Sequence, residues 1–420
     1  MALENGVKGG VWFSLMDKVE RPANLRSAFT KVEANRGAAG VDHQTVARYA
    51  KDLDANLEQL SEQLGKDTYC PQAIRRVYIP KPGSPEKRPL GIPIPARRDD
   101  RVVQAALRQV IEPIFERDFA EHSYGFRPGR GCKDALRRVD ALLKAGYGYV
   151  VDVDLKSYFD TIPHSELMKR VRTRIADGRV LRLIESFLTQ GVMEEMKTWT
   201  PTAGSPQGAV ISPLLSNVYL DPLDHEMAER GHEMVRYADD FVILCRSREE
   251  AEAALQHVQT WTAQAGLTLH PTKTRIADLN EPGGFDFLGY HFERDRRNPQ
   301  RILRWPRDKS QRKLRDALRA RTPRLCGVSL LTIIAQLNRA LRGWYEYFRH
   351  TNVTTVFPRL DGWLRRQLRR ILLKRHKCSR RNGLGTAHQR WPNAYFAKLG
   401  LFSLTTAHAL VHQPAKAVNH

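Results

Sequence analysis

Acidic residues are in short supply in this chain. Asp and Glu number 46 against 68 Lys and Arg, which leaves a formal charge of +22 and a pI near 10.0. That imbalance rules out a self-neutralised surface and points to a polyanionic partner, nucleic acid first and a membrane surface second. Long apolar runs are missing too. No stretch approaches the roughly 18–20 residues that would cross a bilayer, and the opening MALENGVKGG does not have the form of a signal peptide. Cysteine is sparse: Cys70, Cys132, Cys245, Cys326 and Cys378 lie far apart with no C-x-x-C pair. This excludes a disulfide framework and an ordinary structural zinc site. Internal repeats and low-complexity tracts are absent. The expectation is a reduced, cytosolic chain with no membrane partner. Its 420 residues, 41% of them hydrophobic, suffice for about two or three domains.

What is present is a pair of adjacent acids in an apolar setting. Met234-Val235-Arg236-Tyr237 reads as a strand, and Phe241-Val242-Ile243-Leu244-Cys245 as a second one. Asp239 and Asp240 then fall in the turn of a hairpin. Turns favour Asp, so a solvated tip is the plain alternative. However, the flanking strands are apolar enough to be buried on both faces, and two adjacent like charges are unfavourable without a counter-cation. A divalent cation on oxygen ligands would account for them. A second acidic strand, Val150-Val151-Asp152-Val153-Asp154-Leu155, places Asp152 and Asp154 on one face by alternation. Carboxylates from two strands can hold two Mg²⁺ ions for phosphoryl transfer. Spacing alone does not choose between Asp152 and Asp154, nor between a polymerase, a phosphatase and a nuclease.

Around these acids the pattern is mixed. Helical spacing occupies most of the first seventy residues, interrupted at Gly37-Ala38-Ala39-Gly40. A strand spans Arg75 to Pro80, followed by a Pro/Gly/Lys-rich turn to Arg88. Val103, Ala106, Leu107, Val110 and Ile114 mark a helix that Asp99 or Asp100 can cap. Ser212-Pro213 suits a helix start, with Ser as N-cap and Pro at the first helical position. Gly266 ends the helix of Leu255, Val258 and Trp261. Beyond about residue 295 basic residues dominate, and two long helical stripes follow, one through Leu330 to Phe348 and one through Trp363 to Leu372. A domain boundary is expected near 295–305.

The motif order then becomes informative. Val153-Asp154-Leu155-Lys156-Ser157-Tyr158-Phe159-Asp160, Ser205-Pro206-Gln207-Gly208, Ser212-Pro213-Leu214-Leu215-Ser216-Asn217, Tyr237-Ala238-Asp239-Asp240 and Phe287-Leu288-Gly289 follow one another. This series resembles that of reverse transcriptases, and more narrowly that of bacterial group II intron-encoded proteins. Asn35 to Asp42 resembles their extra N-terminal motif. Tyr124-Gly125-Phe126-Arg127-Pro128-Gly129-Arg130-Gly131 resembles their fingers segment, and Leu341 to Phe348 their maturase region. The resemblance implies an α+β, right-hand polymerase. Fingers and palm, an antiparallel sheet plus helices, would be followed by an α-helical thumb/maturase domain. The expected divisions are 1–75, 76–300 and 301–420.

By the same resemblance, Asp154, Asp239 and Asp240 are the catalytic, metal-binding carboxylates of a two-Mg²⁺ site, with Asp152 in support and Asp160 capping a turn. Phe159 falls where the family keeps a ring under the sugar, which would select deoxynucleotides; the alternative is a core aromatic. Gln207 and Gly208 match the segment beside the incoming nucleotide. Lys81 and Arg88 are the expected triphosphate clamps, with Lys87 a competitor. Lys273 resembles the basic residue near the triphosphate. Phe287, Leu288 and Gly289 would lie at the primer terminus, where Gly289 permits close backbone approach.

The basic C-terminal region carries Arg312 and Lys313 in one cluster and Arg365, Arg366, Arg369 and Arg370 along the second long helix. Few acids balance them, so a face that tracks an RNA phosphate backbone fits better than a merely solvated one. Trp344, Tyr345 and Phe348 are expected in the core. The resemblance implies a bacterial cytoplasmic enzyme whose partners are intron RNA, an RNA template with a DNA primer, target DNA and dNTPs. Many members of that family carry an H-N-H endonuclease with cysteine pairs; no such Cys or His cluster appears in this sequence, so the compact, endonuclease-lacking type is expected. The alternatives are a domesticated relative in repair, defence or CRISPR adaptation, and a splicing factor without polymerase activity.

Overall fold

The computed structural model describes residues 10–35, 46–80, 87–93, 99–194, 197–206, 208–323, 327–376 and 383–412. The chain divides into two compact units, Met1–Asp278 and Leu279–His420.

In the first unit, one sheet is built from β1 (Ile74–Pro80), β2 (Lys87–Pro93), β4 (Val192–Glu194) and β5 (Lys197–Trp199), in the order β2-β1-β4-β5. The second sheet carries the acids. It comprises β3 (Tyr149–Asp154), β6 (Glu233–Tyr237), β7 (Asp240–Cys245) and β8 (Arg275–Asp278), in the order β6-β7-β3-β8, with every pair antiparallel. Phe241 through Cys245 are all buried, because helices cover both faces of this sheet. The helices Ser212–Glu229 and Arg248–Gln264 bury Leu215, Tyr219, Val258 and Trp261 in the core that holds Val151, Val153, Phe241 and Ile243. The helix Cys132–Lys144 packs along β6 and β7. The unbroken apolar run of β7 therefore follows from two-sided burial.

The helix Arg248–Gln264 takes its boundaries from its local chemistry. Ser247 caps Arg248–Gln264 by accepting from the Glu250 N–H at 3.2 Å, and Gly266, at φ +67°, ends that helix. At Ser212 the expectation is corrected. Ser212 is inside its helix, Ile211 is the N-cap, and the Ser212 hydroxyl instead bonds Ser205 Oγ at 2.7 Å and the Pro206 carbonyl at 2.9 Å. Asp100 likewise spends its carboxylate on neighbouring segments, accepting from the Gln72 N–H at 3.1 Å and from Gln190 at 2.9 Å.

The second unit opens with β9 (Phe285–Phe287), β10 (Tyr290–Arg294) and β11 (Ile302–Pro306), an antiparallel sheet in the order β11-β10-β9. The long helices Leu330–Phe348 and Val356–Arg375 follow. Their stripes bury Leu337, Leu341, Tyr345, Leu364, Leu368 and Leu372 together with Trp391 and Phe396. Trp344 packs at the edge of that core. The chain is thus α+β, with sheets that are antiparallel except at the parallel β1–β4 pair, followed by a helical region. Among the described residues, no helix is long and apolar enough to cross a membrane.

Candidate active site

The acids are brought together by strand register. Asp154 ends β3 directly opposite Asp240, the first residue of β7. Tyr237 pairs with Asp240 across the hairpin, so Ala238 and Asp239 form a two-residue turn. Ala238 adopts φ +60°, a left-handed conformation at which glycine is the ordinary choice. An alanine there costs on the order of 1 kcal/mol and needs its surroundings to hold it.

Those surroundings are the part that sequence reasoning missed. Arg236 is 0% exposed and Asp224 is 5% exposed. The guanidinium donates to the Asp224 carboxylate from Nε at 2.7 and 3.0 Å and also from Nη2. From Nη1 it donates to Asn217 Oδ1 at 3.0 Å and to the Ala238 carbonyl at 2.9 Å. Asn217 in turn donates to the Gly125 carbonyl at 2.8 Å. Gly125 lies so close that a Cβ there would overlap the Ala238 nitrogen. The turn is thus gripped from beneath by a buried ion pair and from the side by the 124–127 segment. A charged residue within an otherwise apolar strand was the available signal.

The other expected residues are distributed as follows. Lys273 Nζ donates to Asp154 Oδ2 at 3.0 Å. Asp152 pairs in register with Arg275 on β8, with side chains 3.9 Å apart. Phe159 is half-buried in the short helix Tyr158–Thr161, and its carbonyl accepts from the Ser205 N–H at 2.7 Å. The Ser205-Pro206 segment therefore packs against the Phe159 turn. Gly208 is exposed at φ +102°. Lys81 and Gln207 lie outside the described residues, and of Arg88 only the strand position opposite Ile79 is described. In the second unit, Phe287 is buried, and Leu288 and Gly289 form the β9–β10 turn at φ +46° and +84°. The Gly289 carbonyl accepts from Arg307 N and Ser310 Oγ, both at 3.0 Å. Arg312, Lys313, Arg366 and Arg370 are exposed, and Arg365 is half-buried. Arg369 differs from them: it is 1% exposed, donates to the Trp391 carbonyl and Asn393 Oδ1 at 2.9 Å each, and covers the Phe396 ring at 5.3 Å.

Two family models match the chain. Residues 79–292 fit the family described as Reverse transcriptase (RNA-dependent DNA polymerase), and residues 311–391 fit Group II intron, maturase-specific domain. Protein YkfC of Escherichia coli (strain K12) is 34% identical over 323 residues, covering 67% of this chain and 83% of YkfC. The chain belongs to the group II intron reverse transcriptase/maturase family. Group II intron-encoded protein LtrA of Lactococcus lactis subsp. cremoris is 35% identical over 206 residues, covering 49% of this chain and 33% of LtrA. Among solved structures, a partial Cas6-RT-Cas1--Cas2 complex aligns at TM-score 0.38 and 24% identity, covering 60% of this chain and 42% of that one. That likeness is too distant to bear on function.

Membership of a polymerase family implies divalent metal ions and an RNA template. The donor set suits such an ion, since carboxylate oxygens are the hard ligands Mg²⁺ prefers. A cationic group, the Lys273 ammonium, already sits on Asp154. Among the described residues, no group of three or more His, Cys, Asp and Glu side chains converges into a formed metal site.

Proposed function

We propose that the chain is an RNA-directed DNA polymerase that also binds group II intron RNA as a maturase, in the bacterial cytoplasm. The observation that carries this reading is the register of Asp154 against Asp240, with Asp239 in the adjoining turn. Asp154, Asp239 and Asp240 would hold two Mg²⁺ ions. Held by these residues, the ions would supply charge neutralisation at an attacking 3′-hydroxyl and at the pyrophosphate that leaves. The protein's own contribution is placement. Arg236, Asn217 and Gly125 fix the backbone of the Ala238 turn, which would limit how far Asp239 and Asp240 must move when substrate arrives. Phe159 would lie under the sugar and exclude a 2′-hydroxyl, with Gly208 and Gln207 beside the nucleotide. Lys81, Arg88 and Lys273 would neutralise triphosphate charge. Phe287, Leu288 and Gly289 would support the primer end. Arg312, Lys313, Arg365, Arg366 and Arg370 would meet RNA phosphates.

The test is extension of a DNA primer annealed to an RNA template, with dNTPs and Mg²⁺. The reading expects template-dependent products that are lost with ribonucleotides alone and regained when Phe159→Ala widens the pocket. Tight RNA binding without any extension would leave a maturase or scaffold whose polymerase site is vestigial.

A further inference from the structure

Phe126 combines three properties that rarely occur together. The residue is 41% exposed. Its backbone lies in the left-handed region, at φ +61°. It also stands beside the carboxylate turn, with ring centroids of Phe126 and Tyr237 6.4 Å apart and tilted by 46°. A bulky residue in that backbone region is an outlier that persists only where its surroundings over-determine it.

Here they do. Arg127, next in sequence, is buried, and its guanidinium donates to the Glu116 carboxylate at 2.9 and 3.1 Å. It also donates to the carbonyls of Ala120 at 2.6 Å and Ser123 at 2.9 Å. On the other side, Gly125 is wedged against Ala238, and the Tyr124 N–H donates to the Arg236 carbonyl at 2.9 Å. The Phe126 carbonyl accepts from Arg108 at 3.4 Å. The backbone is pinned before, at and after this residue, and the ring is turned outward by that frame.

We infer that Phe126 is a stacking platform for a nucleobase of the bound template–primer, beside the Asp239 turn; this rests on the polymerase reading above. An exposed π face accepts any base, which suits an enzyme that must copy any sequence. A ring already fixed in place loses little conformational freedom on stacking. The strongly basic chain supplies the phosphate attraction that brings a strand to the site, and the ring supplies a contact that salt does not screen.

The test measures affinity of the full chain for an RNA template annealed to a DNA primer, for wild type, Phe126→Gly, Phe126→Leu and Phe126→Trp. Glycine accepts the left-handed backbone without strain, so an unchanged or raised Tm shows that Phe126→Gly keeps the fold. The inference expects Phe126→Gly and Phe126→Leu to bind about tenfold more weakly, with an unchanged salt slope because no phosphate contact is lost. Phe126→Trp should restore affinity, and its added emission should be quenched when the template–primer binds. Wild-type affinity in a folded Phe126→Gly protein would overturn the assignment. Binding decides the point independently of catalysis, whereas failure of the wild type to extend primers would count against the polymerase reading alone.

Discussion

Arg236 carries a charge in the protein interior, where its guanidinium is met by Asp224, Asn217 and the Ala238 carbonyl. Removing one partner of such a pair leaves the other charge buried and uncompensated. Arg236→Met should therefore cost about 3–5 kcal/mol of stability. Pairing it with Asp224→Leu removes both charges and should recover most of that loss. The double variant still lacks the donor to Ala238, so its extension rate should stay low while its urea midpoint recovers. Recovery of both together would show that Arg236 serves the fold alone. Lys273 supplies a second prediction at this scale. Its ammonium would compete with a metal ion for Asp154, in an exposed pair of the kind that contributes at most about 1 kcal/mol. Lys273→Ala should lower the half-saturating Mg²⁺ concentration by up to about fivefold while raising the KM for dNTPs. A higher Mg²⁺ requirement would mean that Lys273 orients Asp154 instead. Both acids of the hairpin were legible from sequence because two adjacent carboxylates interrupt an apolar pattern. Asp224 was not, because an acid in a helix reads as solvated until its partner across the fold is known.

At the scale of elements, Asp177 ties two segments together. Its carboxylate caps the helix Gly178–Leu188 through the N–H groups of Arg179 at 3.0 Å and Val180 at 3.2 Å. The same carboxylate accepts from Leu15 at 2.7 Å and Met16 at 2.9 Å. Burial alone would push this carboxyl up, but the four N–H donors outweigh it and hold its pKa below the ordinary 3.8. A depressed folded-state pKa contributes stability that is present above the unfolded value and is lost as pH falls through the folded one. The stability gap between wild type and Asp177→Asn, about 1 kcal/mol at pH 7, should hold down to about pH 4 and then close. Unfolding curves at pH 7, 4 and 2.5 would check this, and a gap that widened in acid would contradict it. The strands β3 and β7 and the two long C-terminal helices were legible because period and burial agree. The start of helix Ser212–Glu229 was off by one residue, because Ser212 finds a better partner in Ser205 than in its own helix end.

For the whole molecule, the +22 charge told of a polyanionic ligand but not which cations face it. Arg369 shows why: spacing put it on the same helix face as its neighbours, yet its guanidinium is enclosed by Trp391, Asn393 and Phe396. Neutralising Arg365, Arg366 and Arg370 together should weaken RNA binding and flatten the log–log salt slope by up to about three. Arg369→Ala should instead lower the unfolding midpoint and leave the slope of the remaining folded protein unchanged. The reverse pattern would move the RNA surface elsewhere.

The most direct test of the carboxylate assignment is cDNA yield on an RNA template for wild type beside Asp239→Ala, with RNA affinity measured in the same preparations. The account predicts that Asp239→Ala loses synthesis by three orders of magnitude or about 4 kcal/mol and keeps RNA affinity within a few-fold. Equal loss of both would contradict it and make Asp239 a structural residue of the turn.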